Sequence, residues 1–264
     1  MKRLVYQVCL GEGRNSKLYA HCIESVSNYC EKHGFHHIVQ KSPVLRITPD
    51  PFMSNRSKES CSKHGGFLPI FEKEVAFDLL DHYDQIAIID ADIYIREDSP
   101  NIFEEFGFDH AFGAVSEREM DCQEWYVSKI KNYSKMQYSP LHDKSLDFKW
   151  DEKCGFEFFN MGMILIDSQK FKPYLKGQTA KEFLSRVEFM DFVNGKGTWK
   201  WSTDQTLLNY FLKKYDVPVK HMDKKWNGLF TAVKNIRDCH FVHFFLKDKL
   251  VDRGENTESL MEQI

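Results

Sequence analysis

An α/β fold, with a mixed but mostly parallel central sheet flanked by helices, is what this chain predicts. Three observations carry that prediction. Gln85-Ile-Ala-Ile-Ile89 is a short β-branched run ending in Asp90-Ala91-Asp92, and such a run reads as a strand buried on both faces. Leu4 to Gln40 reads as strand, helix, strand, the spacing of a βαβ unit and hence of parallel pairing. The 264 residues, 42% hydrophobic and 28% charged, suit one large α/β domain with a substantial core. We expect that domain over residues 1–250 and a charged C-terminal tail over 251–264.

The elements follow in order. Leu4 to Leu10 is the first strand, closed by a turn over Gly11 to Gly13. Leu18 to His33 is a helix with Tyr19, Ile23, Val26 and Cys30 on its apolar face, ended by Gly34. Phe35 to Gln40 is the second strand. Residues 42–66 are polar and rich in Pro and Gly, the composition of a long loop. Leu68 to His82 is helical, with Leu68, Phe71, Val75 and Leu79 sharing a face, and feeds the Ile86 to Ile89 strand. Ala111 to Ser116 is a further strand. Arg118 to Lys153 has no clear period and reads as an irregular excursion, with Trp125, Tyr126, Tyr133, Tyr138 and Trp150 as cleft walls or core cover. Phe158 to Asp167 is a second long apolar strand. Phe171 to Phe192 is helical with a break at Pro173 to Gly177, and Thr203 to Tyr215 is helical. Val217 to His221 and His240 to Phe245 are short strands.

Composition excludes some classes of function. A net charge of −3 gives no basis for binding a nucleic-acid backbone or an anionic membrane. The chain has no apolar run long enough for a membrane span and no signal-peptide core at its start. Its 7 cysteines are odd in number, scattered and without Cys-x-x-Cys. That pattern predicts reduced thiols in a cytoplasmic setting, where the Asn55 and Asn132 sequons are incidental.

Asp90 and Asp92 stand where an α/β sheet opens into its ligand crevice. Two readings compete: a strand-end turn in which they cap the backbone, or a divalent cation carrying a phosphate between them. His243, in Phe241-Val-His-Phe244, is either a hydrogen-bonded core residue or a third metal ligand. Lys247 and Lys249 follow it and are placed to hold a phosphate. Two Asp and one His suit octahedral Mn²⁺, or Mg²⁺, with room left for phosphate oxygens.

The order of parts resembles a known family. The βαβ start, the strand ending in Asp-x-Asp, Phe159-Asn-Met-Gly-Met-Ile-Leu-Ile-Asp167, Asp204-Gln205 before Leu207-Leu-Asn209, and His243 with Lys249 resemble a metal-dependent glycosyltransferase of the A fold. The likeness is to the retaining glycogenin and bacterial galactosyltransferase group. Ser27-Asn-Tyr-Cys-Glu-Lys-His-Gly-Phe35 is similar to the plant xylosyl- and galactosyltransferase relatives. The resemblance spans residues 4–250. It implies a nucleotide-binding half over 1–116 and an acceptor half over 117–250. It further implies that Asp90, Asp92 and His243 hold the metal, and that Lys249, or Lys247 in its stead, holds the diphosphate. Asp204 and Gln205 would lie beside the transferred sugar, Asn160 and Gly162 would line the donor sugar and acceptor side, and Lys73 would face the donor. Three departures stand out: Leu246 occupies a usual Gly position, Leu250-Val251 replaces Pro-Trp, and Asn160-Met-Gly162 stands for Asn-Ser-Gly.

The expected reaction moves a hexose or pentose from a nucleotide diphosphate, UDP foremost, to a hydroxyl of a glycan or similar acceptor, with retention. Asp204 is the candidate nucleophile for a covalent route, and Gln205 the stabiliser for same-face attack. A haloacid-dehalogenase-type phosphatase is a rival, but it wants Thr or Val where Tyr94 stands, and a late Gly-Asp-x-x-x-Asp pair that is absent. A non-catalytic nucleotide-sugar binding module is the other rival.

Overall fold

The computed structural model describes residues 1–11, 16–50, 52, 65–142 and 146–264. Gly13 and most of the loop expected over 42–66, including the Asn55 sequon, lie outside these residues. The central sheet runs β2-β1-β3-β8-β5-β9, with β1 (Arg3–Val8), β2 (His36–Gln40), β3 (Gln85–Ile89), β5 (Phe112–Ser116), β8 (Phe159–Asp167) and β9 (Val219–His221). All pairings are parallel except those of β8, which runs antiparallel to both β3 and β5. Every residue of β3 is buried, as its uninterrupted apolar run requires of a strand covered on both faces.

A second, small sheet, β10-β11-β4, crosses the carboxyl edge of the first. It holds β4 (Ile93–Ile95), β10 (Gly228–Leu229) and β11 (Phe241–His243). The chain leaves β3 at Ile89 and enters β4 at Ile93, so Asp90 and Asp92 occupy the step from one sheet to the other. A two-stranded ribbon, β6 (Trp150–Asp151) with β7 (Gly155–Phe156), completes the strands.

Three expectations need correction. The segment 118–153 is not irregular: Glu124–His142 is a helix. Its inner side carries Tyr126, Ile130, Ser134, Gln137, Tyr138 and Leu141, all buried. The polar Ser134 and Gln137 on that side mask the apolar period. Ser134 Oγ accepts from Phe156 N, and Gln137 Oε1 accepts from Thr206 Oγ1. Tyr126 and Tyr138 are therefore core, not cleft wall. Second, Pro69–Leu79 is a 3₁₀ helix. Its repeat of three residues per turn buries Phe71, Glu74, Phe77 and Leu80 and leaves Val75 and Leu79 at the margin. Third, the helix Ser16–His33 turns Leu18, Cys22, Val26 and Tyr29 inward, and this leaves Tyr19 and Ile23 on its flank.

The C-terminal segment is anchored at two points. Leu250 and Leu260 pack with Leu18, Cys22, Val242 and Phe244 in a second apolar cluster. None of the described helices is long and apolar enough to cross a membrane.

Glu72 fixes the 3₁₀ helix against the chain that leaves β2. Its buried carboxylate accepts from Gln40 Nε2 at 2.8 Å and from the backbone N–H groups of Val44, Leu45 and Arg46 at 2.7, 3.1 and 2.7 Å. These donors spread over both oxygens, so an amide would set its NH₂ against a backbone N–H. Glu72→Gln is expected to lower unfolding stability by about 1.5–3 kcal/mol, read by urea denaturation.

Candidate active site

The small sheet explains how residues so distant in sequence meet. β11 pairs antiparallel with β4, with His243 opposite Ile93, and Phe244 N donates to Asp92 O at 2.9 Å. That register sets the imidazole beside the Asp-x-Asp step: His243 Nε2 lies 3.2 Å from Asp92 Oδ1 and 3.8 Å from Asp90 Oδ2. On the other side β8 supports the step, since Asp90 N donates to Gly162 O at 2.8 Å. The β5–β8 register slips between Ala114 and Val115, whose partners are Ile164 and Asn160. The irregularity leaves Met161 and Gly162 without partners on β5.

Gly162 is there for space. A Cβ on it would stand 2.4 Å from His243 Cε1 and 2.6 Å from Nδ1, closer than any side chain tolerates.

Lys73, from the 3₁₀ helix, reaches into the same cluster. Its ammonium lies 2.8 Å from Asp204 Oδ2 and 3.0 Å from Asp90 Oδ1, and donates to Met161 O at 2.7 Å. Burial lowers the lysine pKa, but Asp204 and Asp90 more than reverse this and raise it overall. Asp204 begins the helix Asp204–Lys214, which Thr203 caps by accepting from Gln205 N. Gln205 Oε1 accepts from Met161 N at 3.3 Å. Glu74 sits behind, 1% exposed; burial, and then Asp204, push its carboxyl well above the usual range.

Lys247 is the second lysine in the cluster. Its Nζ stands 2.7 Å from Asp92 Oδ2, is hydrogen-bonded to Tyr19 OH, and lies 4.0 Å from the centroid of the Tyr19 ring. Burial raises the Asp92 pKa, but His243 and Lys247 outweigh it and hold the carboxyl well below the usual range. For Asp90, burial wins over Lys73 and His243, and its pKa is raised. The pKa values of the two carboxyl groups thus shift in opposite directions, Asp90 raised chiefly by burial and Asp92 lowered by His243 and Lys247.

The sequence-predicted residues fall into groups. Asp90, Asp92, His243, Lys73, Lys247 and Asp204 converge, and Gln205 adjoins them through Met161. Asn160 and Gly162 lie behind the imidazole rather than on the cavity wall. Lys249 stands apart: it is exposed, with its Nζ 4.2 Å from the Trp125 ring centroid.

Three residues were not anticipated. Tyr19 was assigned to the core. Asn227 Oδ1 lies 3.0 Å from His243 Nδ1, and buried Glu117 accepts from Asn160 Nδ2. No pattern signalled the last two, since a single Asn or Glu carries no period.

One ligand atom each from Asp90, Asp92 and His243 fall within 4.8 Å of one another. Adjacent ligands of an octahedral ion with bonds of about 2.1 Å stand about 3 Å apart. The Nε2–carboxylate distances of 3.2 and 3.8 Å fit neighbouring vertices, so the donor set suits a hard divalent cation. A cavity of about 330 Å³ opens on it, lined by Lys73, Asp90, Asp92, Asp204 and Tyr19. Tyr19 and Cys9 are shared with a larger cavity of about 870 Å³ between the Ser16–His33 helix and the ends of β1 and β2.

This sheet, with a carboxylate step at its edge, is the architecture of an A-fold glycosyltransferase. Solved glycosyltransferases show the same fold. An active-site mutant of the galactosyltransferase LgtC aligns over 98% of this chain and 95% of its own, with a TM-score of 0.51 and 13% identity. Mouse xyloside xylosyltransferase 1 aligns over 95% and 100%, with a TM-score of 0.50 and 13% identity. GlyE of Streptococcus pneumoniae aligns over 94% of this chain and 55% of its own, at 0.50 and 12%.

Residues 10–249 match the sequence profile of Glycosyl transferase family 8, and the chain belongs to that family. It is a glycosyltransferase, which sets aside the phosphatase and the non-catalytic module. No curated protein sequence gives a significant match.

Two outcomes follow from this packing. Gly162→Ala should displace the His243 ring and cost about 1–3 kcal/mol by overpacking; a crystal structure of the variant with the imidazole in place would contradict it. Lys73→Met leaves Asp90, Asp204 and Glu74 facing one another without their cation. It should cost about 3–5 kcal/mol at neutral pH. Asp90 and Glu74, already raised chiefly by burial, would then hold their protons still more tightly folded than unfolded, so the variant should regain stability as pH falls toward about 5. Denaturation curves at several pH values check the sign.

Proposed function

We propose that the protein transfers a hexose or pentose from a nucleoside diphosphate donor, UDP foremost, to a hydroxyl of a glycan or similar acceptor, with retention of configuration. The observation that carries this reading is the meeting of Asp90, Asp92 and His243 within 4.8 Å at the carboxyl edge of the sheet, beside Lys247. Asp90, Asp92 and His243 would hold Mn²⁺, or Mg²⁺, and a bound ion there supplies positive charge to the departing diphosphate. Mn²⁺ is favoured because an imidazole is among the ligands.

Lys247 adds a second positive charge at the same place. It is the better phosphate partner than Lys249, because it already faces the carboxylates while Lys249 rests on Trp125. The larger cavity beside Tyr19 has room for the nucleoside. Its volume of about 870 Å³ lies within the range of small-molecule sites.

Asp204 and Gln205 border the sugar's place. Asp204 is bound to half-buried Lys73 at 2.8 Å, which neutralises its charge and weakens it as a nucleophile. This favours same-face attack over a covalent glycosyl-enzyme. In that route the bond from the anomeric carbon to the phosphate oxygen breaks, and the acceptor oxygen bonds to that carbon. The acceptor's proton passes to the departing phosphate oxygen, while the Gln205 amide steadies the electron-poor sugar carbon. A reducing, cytoplasmic setting belongs to the proposal, supported by the free thiols of the described cysteines.

A thermal-shift panel of nucleotide sugars, with and without Mn²⁺, tests the reading. A donor at about 100 times its Kd adds about 2.7 kcal/mol, a rise of about 5–8 °C for a domain of this size. The rise should require Mn²⁺ and vanish in Asp92→Asn. Stabilisation that ignores both the metal and this substitution would refute the ligand set, and an inverted product anomer by NMR would refute retention.

A further inference from the structure

Behind His243 runs a buried line of amide groups that the catalytic reading leaves without a purpose. Asn160 Nδ2 donates to Glu117 Oε2 at 3.2 Å, and Asn160 Oδ1 accepts from Gly162 N at 2.9 Å. Asn227 Nδ2 donates to Asn160 Oδ1 at 2.7 Å, and Asn227 Oδ1 lies 3.0 Å from His243 Nδ1. Glu117 is closed at its other oxygen by the Tyr126 hydroxyl. Glu117, Asn160, Asn227 and His243 are all less than a tenth exposed, so water does not compete for these positions.

The direction of the line is forced. A backbone N–H can only donate, so Gly162 fixes which end of the Asn160 amide is oxygen, whether or not Glu117 carries a proton. With that oxygen set, Asn227 must present its NH₂ to it; the flipped amide would bring two carbonyl oxygens to 2.7 Å. The Asn227 oxygen then faces the imidazole, and Nδ1 must carry a proton to meet it.

We propose that Asn227, oriented through Asn160 by the Gly162 N–H, is a positioning residue that fixes the Nδ1–H form of His243 and turns the Nε2 lone pair toward the metal position. Gly162 serves the line twice, through its N–H and through the room its missing Cβ leaves for the ring. A metal-bound histidine gains orientation and basicity from an acceptor at its other nitrogen. The acceptor here is a neutral amide, itself held by a second amide. The inference rests on the metal reading of Asp90, Asp92 and His243 given above.

The test is Mn²⁺ affinity of the full chain, by electron paramagnetic resonance titration without donor, alongside melting temperature without metal. Asn227→Leu removes the acceptor and should weaken Mn²⁺ about 10–100-fold. Asn227→Asp keeps an acceptor at Nδ1 but loses the donor to Asn160, so it should melt lower yet bind Mn²⁺ at least as tightly as the parent. A residue that merely packs would lose affinity in both variants. Equal affinity in the parent and Asn227→Leu, or weakened binding in Asn227→Asp, overturns the proposal, and the Asp variant decides the matter if the Leu variant does not fold. Failure of the metal reading looks different: the parent would not bind Mn²⁺, or Asp92→Asn would leave its binding intact, and the positioning role would fall with it.

Discussion

Asp90, Asp92 and Asp204 crowd the edge of one sheet, and the cost of their mutual repulsion shapes everything around them. They are answered by groups drawn from two other parts of the chain. Lys73 comes from the 3₁₀ helix and joins Asp90 to Asp204, while Lys247 and His243 come from the C-terminal third and meet Asp92. Breaking a buried pair costs more than forming it gains, so these contacts are better regarded as constraints than as sources of stability. They require that the 3₁₀ helix, the Asp204 helix and the small sheet close on the central sheet together. The electrostatics that prepare the edge for a charged ligand are therefore the same that hold the halves of the chain in register.

The small sheet is the mechanical part of this arrangement. β4 is only Ile93–Ile95 and β11 only Phe241–His243, yet their pairing delivers the imidazole. A slip of one residue would turn His243 to the opposite face of the strand. The buried side chains of Ile93, Ile95 and Phe241 oppose that slip. Tyr29 stacks edge-on to Phe241 and donates to Pro100 O, so the Ser16–His33 helix braces the same ribbon. The geometry of the carboxylate–imidazole cluster is thus carried by apolar packing some distance from the charges.

Much of this was legible in the sequence, and the limits have physical causes. The apolar strands announced themselves, because a strand buried on both faces admits few residue types. Asp90 and Asp92 were conspicuous for interrupting one, and His243 for standing inside another. The Glu124–His142 helix was hidden because its inner side pairs polar Ser134 and Gln137 with neighbours supplied by distant segments. The 3₁₀ form of Pro69–Leu79 shifted burial from Val75 and Leu79 to Glu74 and Phe77, a change that a 3.6-residue period does not register. Asn227 and Glu117 left no trace, since what they do depends on neighbours brought together only by folding.

The opposite placements of Lys247 and Lys249 show how one backbone angle decides such a case. Leu246 adopts φ 53°, ψ 60°, the left-handed region that costs a residue with a side chain about 1–2 kcal/mol. The turn nevertheless forms, with Lys249 N donating to Leu246 O at 2.8 Å. It directs Lys247 back to Asp92 and Tyr19 and sends Lys249 outward over Trp125. Leucine bears the conformational cost because its side chain packs against the main core and because Lys247 completes the charge balance at Asp92. A glycine would relieve the backbone but would also free the turn, and the ammonium would no longer be held beside Asp92. The strained residue and the well-placed cation are one device.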